Sequence, residues 1–464
     1  MRRRPSGTDA SPVGESLAAA AAIALIAGGL WLGERPSVPA SPEIARDRAP
    51  FVERALFCPP AFDAFAGDTA LAVQPLDAAP GAVAVEPGGG VETGRKASGL
   101  AVTSLPGESP VDVVGYGAPV SATAVAQSEK GSAAAPCATE AARRWYFADG
   151  SSALGWDERI VISNPFPDEA VARVVFFTPS GAEAKANLAD IPVSAGEAVA
   201  VKVNDFILRE PVLAASVDTL RGRVVAWKAT LKEPNQGVSG AAVTLGAPKP
   251  ARHWYLPAGA AGKGARDRIS ILNPSEEEAI VNVTLHTASE AIQSPDLTEV
   301  SVPASSAMTV PLEGAPTKED GGAGVIVESI GGAGVVVEHA AAFDSGAITG
   351  YLSEGGLPAV STAWSLPPAA LHPRADDVVV LNPGPGSTFF DIALVATDGT
   401  VTAPARLSEI ELEAGARLSV SVARWTEGKS VGVELTSTRP TAVERVAYSP
   451  AGEDMSSTTG LPLP

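Results

Sequence analysis

Histidine and cysteine are scarce in this chain, and their scarcity removes whole classes of chemistry. The four histidines, His253, His286, His339 and His372, stand singly at different points of the chain, with no paired-histidine zinc motif and no HExxH. No GxSxG elbow is present, so the commonest hydrolase signature is missing as well. Glu276-Glu277-Glu278 and Asp376-Asp377 bring carboxylates together, but without a DxDxDG loop they read as solvated turns. Gly89 to Lys96 (GGVETGRK) has Arg95 where a phosphate loop needs lysine and no hydroxyl residue after it. No catalytic residue, cofactor site or metal site follows from these patterns.

Positive charge is also in deficit: 34 Lys and Arg face 53 Asp and Glu, for a formal charge of -19. The first 36 residues carry +1, so about -20 belongs to the remainder. A surface of that sign repels phosphate backbones, and nucleic acid is excluded as a partner. Past residue 36 no apolar stripe of period 3.6 appears, whereas 46 Gly and 40 Pro punctuate short β-branched runs. The expected class is all-β. At 464 residues the chain is long enough for three or four units.

The one long hydrophobic run lies at the N-terminus. Arg2, Arg3 and Arg4 precede Leu17 to Gly33, an uncharged segment of 17 residues that Glu34 and Arg35 end. At about 1.5 Å per residue it reaches about 25 Å, so a signal anchor and a cleaved signal peptide with Val38-Pro39-Ala40 as its cleavage site both fit. With the arginines inside, everything after Arg35 is extracytoplasmic. The two cysteines, Cys58 and Cys137, then lie in the exported part, 79 positions apart. One disulfide is the simplest reading, with a pair of metal or redox thiols as the alternative.

Three tryptophans set the register of a repeat. Trp145, Trp254 and Trp364 are followed at 19, 19 and 18 residues by Asn164-Pro165, Asn273-Pro274 and Asn382-Pro383, each closing a run of β-branched residues. Asn turns the backbone and Pro removes a donor, so the pair stops a strand. Alternating triplets, Val199/Val201/Val203, Met308/Val310/Leu312 and Leu418/Val420/Val422, each begin 54 residues after their tryptophan. Period two means one face on a core and one in water. Repeats of about 109 residues with six to eight short strands predict tandem immunoglobulin-like β-sandwiches behind one N-terminal transmembrane helix.

The expected layout is a basic tail (1–16), the apolar helix (17–33), a linker (34–54), a degenerate disulfide-tied β domain (55–141) and three repeats (142–249, 250–360, 361–464). Each repeat is expected to finish with two strands around a polar turn, and short linkers such as 246–253 predict a semi-rigid rod.

One group carries a possible ligand site. Trp145, Tyr146 and Trp156, with Asp149 and Asp157 (or Glu158), combine aromatic platforms with acids, as sugar sites do. The second copy answers these acids with Gly259 and Asp267, the third with Ala369 and Asp376 or Asp377, so they do not recur as a pair. A residue fixed in every copy, as Trp254 and Trp364 are, reads as a packing device.

The WYFADG opening, the Asn-Pro stop and closing strands such as VVVEHAA and AVERVAY resemble a family of unknown function, number 5719, over about residues 55 to 464. That family consists of exported actinobacterial proteins with WYF-[AE]-[DE]-G repeats behind a membrane segment. The resemblance implies an envelope location and supplies no catalytic residue. The third copy departs from it, with TAWSLPPA lacking the Tyr and the acidic turn. The expected protein is a membrane-anchored, non-enzymatic scaffold, stalk or interaction module whose partner is an envelope protein or a cell-wall glycan. A carbohydrate-binding protein or carbohydrate-active enzyme is the alternative.

Overall fold

Each segment from Cys58 onward that the spacing marks as a unit folds into two antiparallel sheets. The computed structural model describes residues 54–463, apart from 62–67, 77–80, 88–94, 98, 106–108, 117–118, 129–130, 234–237, 259–264, 313–321, 345–348 and 449–453. The expected basic tail, apolar helix and linker, the glycine-rich 89–94 and Gly259 lie outside the described residues. Among those described, no helix is long and apolar enough to cross a membrane. Among the described residues helix is limited to Ala423–Thr426 and a few 3-10 turns, and the fold is all-β.

In the first repeat one sheet runs Ala198–Lys202, Trp156–Ser163, Val225–Lys232, Gly240–Leu245. The other runs Gly181–Ala184, Ala170–Thr178, Ala214–Arg221, Arg144–Phe147. Ile160 and Ile162 from the first sheet and Val174, Phe176 and Val217 from the second share one core. The expected alternation holds: Val201 and Val203 are buried while Ala200 and Lys202 are exposed. The second repeat copies the arrangement with its own core around Ile269, Ile271, Val283 and Val327. In the third, a 17-residue strand, Gly432–Tyr448, passes from one sheet into the other. The leading unit also has two four-stranded sheets, and Cys58 and Cys137 are joined in a disulfide between them.

The expected strand stops do more than turn the chain. Asn164, Asn273 and Asn382 are completely buried. Each side-chain NH2 donates back across its own turn, to the carbonyls of Asp168, Glu277 and Gly386 at 2.7, 2.7 and 2.9 Å. The same amides donate to Val193, Val302 and Leu412 about thirty residues on, at 3.0, 3.0 and 3.2 Å. Each oxygen accepts the N–H two residues ahead. A buried amide with donors and acceptor satisfied fixes two loops at once.

Two expectations are corrected. The two strands expected to finish each repeat are present, continuous as one in the third, but they do not end it: one further strand follows, Gly240–Leu245, Thr349–Gly355 and Met455–Thr459. Their sequences, GAAVTL, TGYLSEG and MSSTT, carry too little apolar alternation to be read as core strands. The units also do not form a rod in which only neighbours touch. Gly131–Pro136 of the leading unit lies against Gly240–Leu245 on one side and Met455–Thr459 on the other, and Thr349–Gly355 lies against the same two. Four inner strands thus close a ring. Glycine and other small residues make that possible where two of these backbones approach most closely. At Gly131 (φ 149°) a Cβ would sit 2.8 Å from the Ala241 nitrogen, and at Gly350 (φ 154°) 3.1 Å from that of Met455. The whole of 52–464 is one compact unit.

Candidate functional site

The aromatic and acidic group expected around Trp145 sits at the joint between the first two repeats. Successive residues of a strand face opposite ways. Trp145 therefore enters the core of its own repeat, where its indole N–H donates to the Val224 carbonyl at 2.7 Å. Tyr146 beside it packs into the core of the second repeat, together with Ala148, Phe177 and Ala214. The second copy repeats the device. Trp254 lies in its own core and donates to Val335 at 2.8 Å, while Tyr255 packs against the core of the third repeat.

The loop after the WY pair is clasped by the next repeat. Glu338, 2 % exposed, accepts the N–H groups of Ala148 and Asp149 at 3.0 and 3.1 Å and pairs with Lys228 at 2.5 Å. Glu444 of the third repeat accepts the Ala258 N–H in the same way at 3.0 Å. The two acids share one position of the repeat, which Trp227 fills in the first copy: Trp227, Glu338 and Glu444 lie opposite Val161, Ser270 and Val379, each three residues before the Asn of its strand stop. Trp227 reaches the preceding unit too, at the Pro136 carbonyl (3.5 Å).

The residue after each of these is a buried base: Lys228, His339 or Arg445. Asp267 holds His339 at 2.5 Å, and Asp376 takes Arg445 through two nitrogens. Asp267's carboxylate favours the imidazolium, so the His339 pKa rises although burial alone would lower it. In the first repeat the corresponding acid, Glu158, accepts the Ser151 N–H at 3.0 Å, and burial pushes its carboxyl up to about 8 despite the neighbouring Lys228. Lys228 is itself held in the charged form, its desolvation being outweighed by Glu338 and Asp149.

Of the five residues expected to bind a ligand, the structure brings three, Tyr146, Asp149 and Trp156, to this joint and sends Trp145 and Asp157 elsewhere. Asp149 accepts Arg268 at 2.9 and 3.1 Å, the Ser270 hydroxyl at 2.6 Å and the Tyr351 hydroxyl at 3.1 Å. Burial alone would raise its pKa, but Arg268 and Lys228 bring it down to about 2. Trp156 is half-buried, edge-on to Tyr351 at 5.2 Å, with Arg268 and Lys232 over its ring at 5.7 and 5.9 Å. Asp157 points the other way, as its odd place in the strand requires, and pairs with Arg159 (3.4 Å) and Lys202 (3.7 Å). Asp149 and Asp157 therefore belong to different ion-pair groups.

The remaining histidines are dispersed: His253 is exposed near Glu328, the His286 Nδ1–H donates to the Gly415 carbonyl (2.7 Å), and His372 is exposed. Glu276, Glu277 and Glu278 are solvated. Among the described residues no group of three or more His, Cys, Asp or Glu is placed to hold a metal ion. Sequence reasoning missed Glu338, Glu444, Lys228 and Arg268. The signal is present in part, since the closing strands VVVEHAA and AVERVAY each carry an acid followed by a base.

The comparisons with known proteins cover part of this arrangement. Residues 108–329 match the model of a family of unknown function, DUF5719. The expected resemblance is met over that span, which takes in the first repeat and the opening part of the second, with Arg268 and Ser270 but not Glu338 or Tyr351. No curated protein matches the chain. Among solved structures, the crystal structure of Thermotoga maritima 1070 is similar over 24 % of this chain and 97 % of its own, with 19 % identity and a TM-score of 0.21.

Proposed function

We propose that the protein is a non-enzymatic module of the cell envelope, anchored through the apolar run at 17–33, in which four immunoglobulin-like units form a closed scaffold for another envelope protein. One observation carries this reading. The aromatic and acidic residues around the first opening strand are spent on structure: Trp145 in its own core, Tyr146 in the core of the next repeat, Asp149 on Arg268, Glu338 on Lys228 and two backbone N–H groups. Acids fixed in that way hold structure and are not free to attack a glycosidic bond. Two sheets sharing one core at a repeat length near 109 support the immunoglobulin-like assignment. The disulfide supports an oxidising compartment.

The test is location and surface binding of the full chain in a bacterial host. A C-terminally tagged protein is expected in the membrane fraction, with its tag digested by protease added to intact cells. A protected, cytosolic tag would end the envelope reading. Co-sedimentation of the purified chain with insoluble cell-wall polysaccharide addresses the alternative: retention that Trp156→Ala weakens would replace the protein-scaffold reading with glycan recognition.

A further inference from the structure

The four inner strands end together in a corner that recurs around the ring. Gly246-Ala247-Pro248, Gly356-Leu357-Pro358 and Gly460-Leu461-Pro462 follow three of them, and Pro136-Cys137 follows the fourth. Each of the three glycine N–H groups donates to the neighbouring strand, at the Ala226, Val337 and Val443 carbonyls (3.1, 3.0 and 3.0 Å). Glycine is required there because an aromatic ring of the opening strand lies on it. A Cβ would meet Phe147 at 2.9 Å, Trp254 at 3.0 Å and Trp364 at 2.8 Å.

Between the corners lies a cavity of about 280 Å³ to which all four units contribute. That is just below the range of about 300 to 1,000 Å³ in which small-molecule pockets fall. Its wall is mainly apolar, from Leu245, Val336, Leu357 and Leu461 and the edges of Trp254 and Trp364, and Pro358 and Pro462 stand exposed among its lining residues. Into this wall is set Glu354, 4 % exposed. Its carboxyl accepts the Ser457 hydroxyl at 3.2 Å and the Thr459 backbone, and among the described residues no cation pairs with it. Glu338 also borders the cavity but is committed to Lys228. Glu444 adds its negative field at Glu354, and its Oε1 has no hydrogen-bond partner.

An acid buried in this way is costly in its charged form, so burial and the field of Glu444 hold Glu354 protonated, with its pKa well above the usual carboxylate range. His339 lies opposite it in the ladder but is taken by Asp267, and the exposed Lys249 lines the same cavity without bonding it, so a cation brought into the cavity is what would favour the charged form. We propose that this axial cavity is a binding site for a small organic cation, an amine carried on an apolar body, with Glu354 as its counter-ion. The apolar wall accounts for the body, the lone carboxylate for the charge, and the size for a molecule rather than a chain segment. A hydrated metal ion does not suit it, because apolar walls cannot replace the hydration shell. The inference is independent of the envelope reading, since it rests on the cavity alone.

The experiment is calorimetric titration of the full chain with 2-phenylethylamine, 2-phenylethanol and phenylacetate, which share a shape and differ in charge. The amine is expected to bind at least about tenfold more tightly than the alcohol, the difference a charge-assisted hydrogen bond supplies, and phenylacetate is expected not to bind. Glu354→Gln should bring the amine to within about threefold of the alcohol. Gly355→Leu should abolish binding of both, because a Cβ there meets nothing closer than the Leu245 carbonyl at 3.6 Å and the added side chain fills the cavity without displacing backbone. Thermal midpoints of both variants check that they remain folded. Equal binding of amine and alcohol, an amine preference that survives Glu354→Gln, or no binding of any of the three would each overturn the proposal.

Discussion

The joint between the first and second repeats and the joint that closes the ring are made by the same part of the repeat, with opposite chemistry. At the first, Tyr146 enters the neighbour's core and Glu338 grips the loop behind it. At the closing joint the place of the tyrosine belongs to Ser365, which bonds Ser121 of the leading unit at 2.6 Å. The loop behind it brings Ala369 and Ala370 against Val125 and Ala134, an apolar contact in place of a carboxylate clasp. The third copy lacks the motif because its neighbour differs. What reads in the sequence as erosion is a change of partner, since the leading unit offers small side chains and no pocket for a ring.

Breaking the clasp should have the largest effect. Glu338→Ala strands Lys228 as a buried charge, and removing one partner of such a pair costs about 3–5 kcal/mol, to be read from denaturant unfolding. Replacing Cys58 and Cys137 with serine acts instead on the unit that closes the ring. Opening a loop of 79 positions should cost about 4 kcal/mol on the chain-entropy model, and the loss should appear first as exposure of the leading unit to protease. Restoring the motif by Ser365→Tyr is expected to destabilise, by about 1–3 kcal/mol from overpacking, because Ser365 is fully buried against Ser121. A gain in stability would mean that the closing joint has room for a ring and that the comparison is wrong.

The same joint predicts a pH dependence. Glu158 holds its proton to about pH 8, against an ordinary value of 4.5, because it is buried. The stability it contributes is complete below about 4.5 and is lost as the pH rises to 8, at up to about 1.4 kcal/mol per unit. Lys228, Asp149 and Glu338 face it, and other buried acids give the same sign, so Glu158→Gln should remove part of the slope. Asp149 works oppositely: its contribution is present above 3.8 and is lost as the pH falls to about 2. Stability measured from pH 3 to 9 in normal and variant protein separates the two. The smallest effect belongs to Ser365→Ala, where loss of one hydroxyl pair should cost about 1 kcal/mol in the same unfolding assay.

The all-β class, the repeat and its register and the strand stops were legible in sequence because each is local or periodic, and the cysteine pairing because the chain has only two cysteines. Val199, Val201 and Val203 alternate whatever they face, and Asn164 with Pro165 ends a strand wherever it stands. Trp145 was legible as a packing residue for the same reason, since one place in every copy implies one use. Tyr146 was not, because its partner is the core of another repeat more than a hundred positions on. Neither was the pairing of Asp149 with Arg268, which separated it from Asp157, nor the inner strands whose small residues carry no periodic signal. The sequence by itself determined what each unit is, through short-range sterics and alternation. Only the tertiary structure decided that four units close a ring, which buried charge meets which, and that a cavity with a lone acid lies at the axis, because those depend on contacts between residues that no spacing along the chain relates.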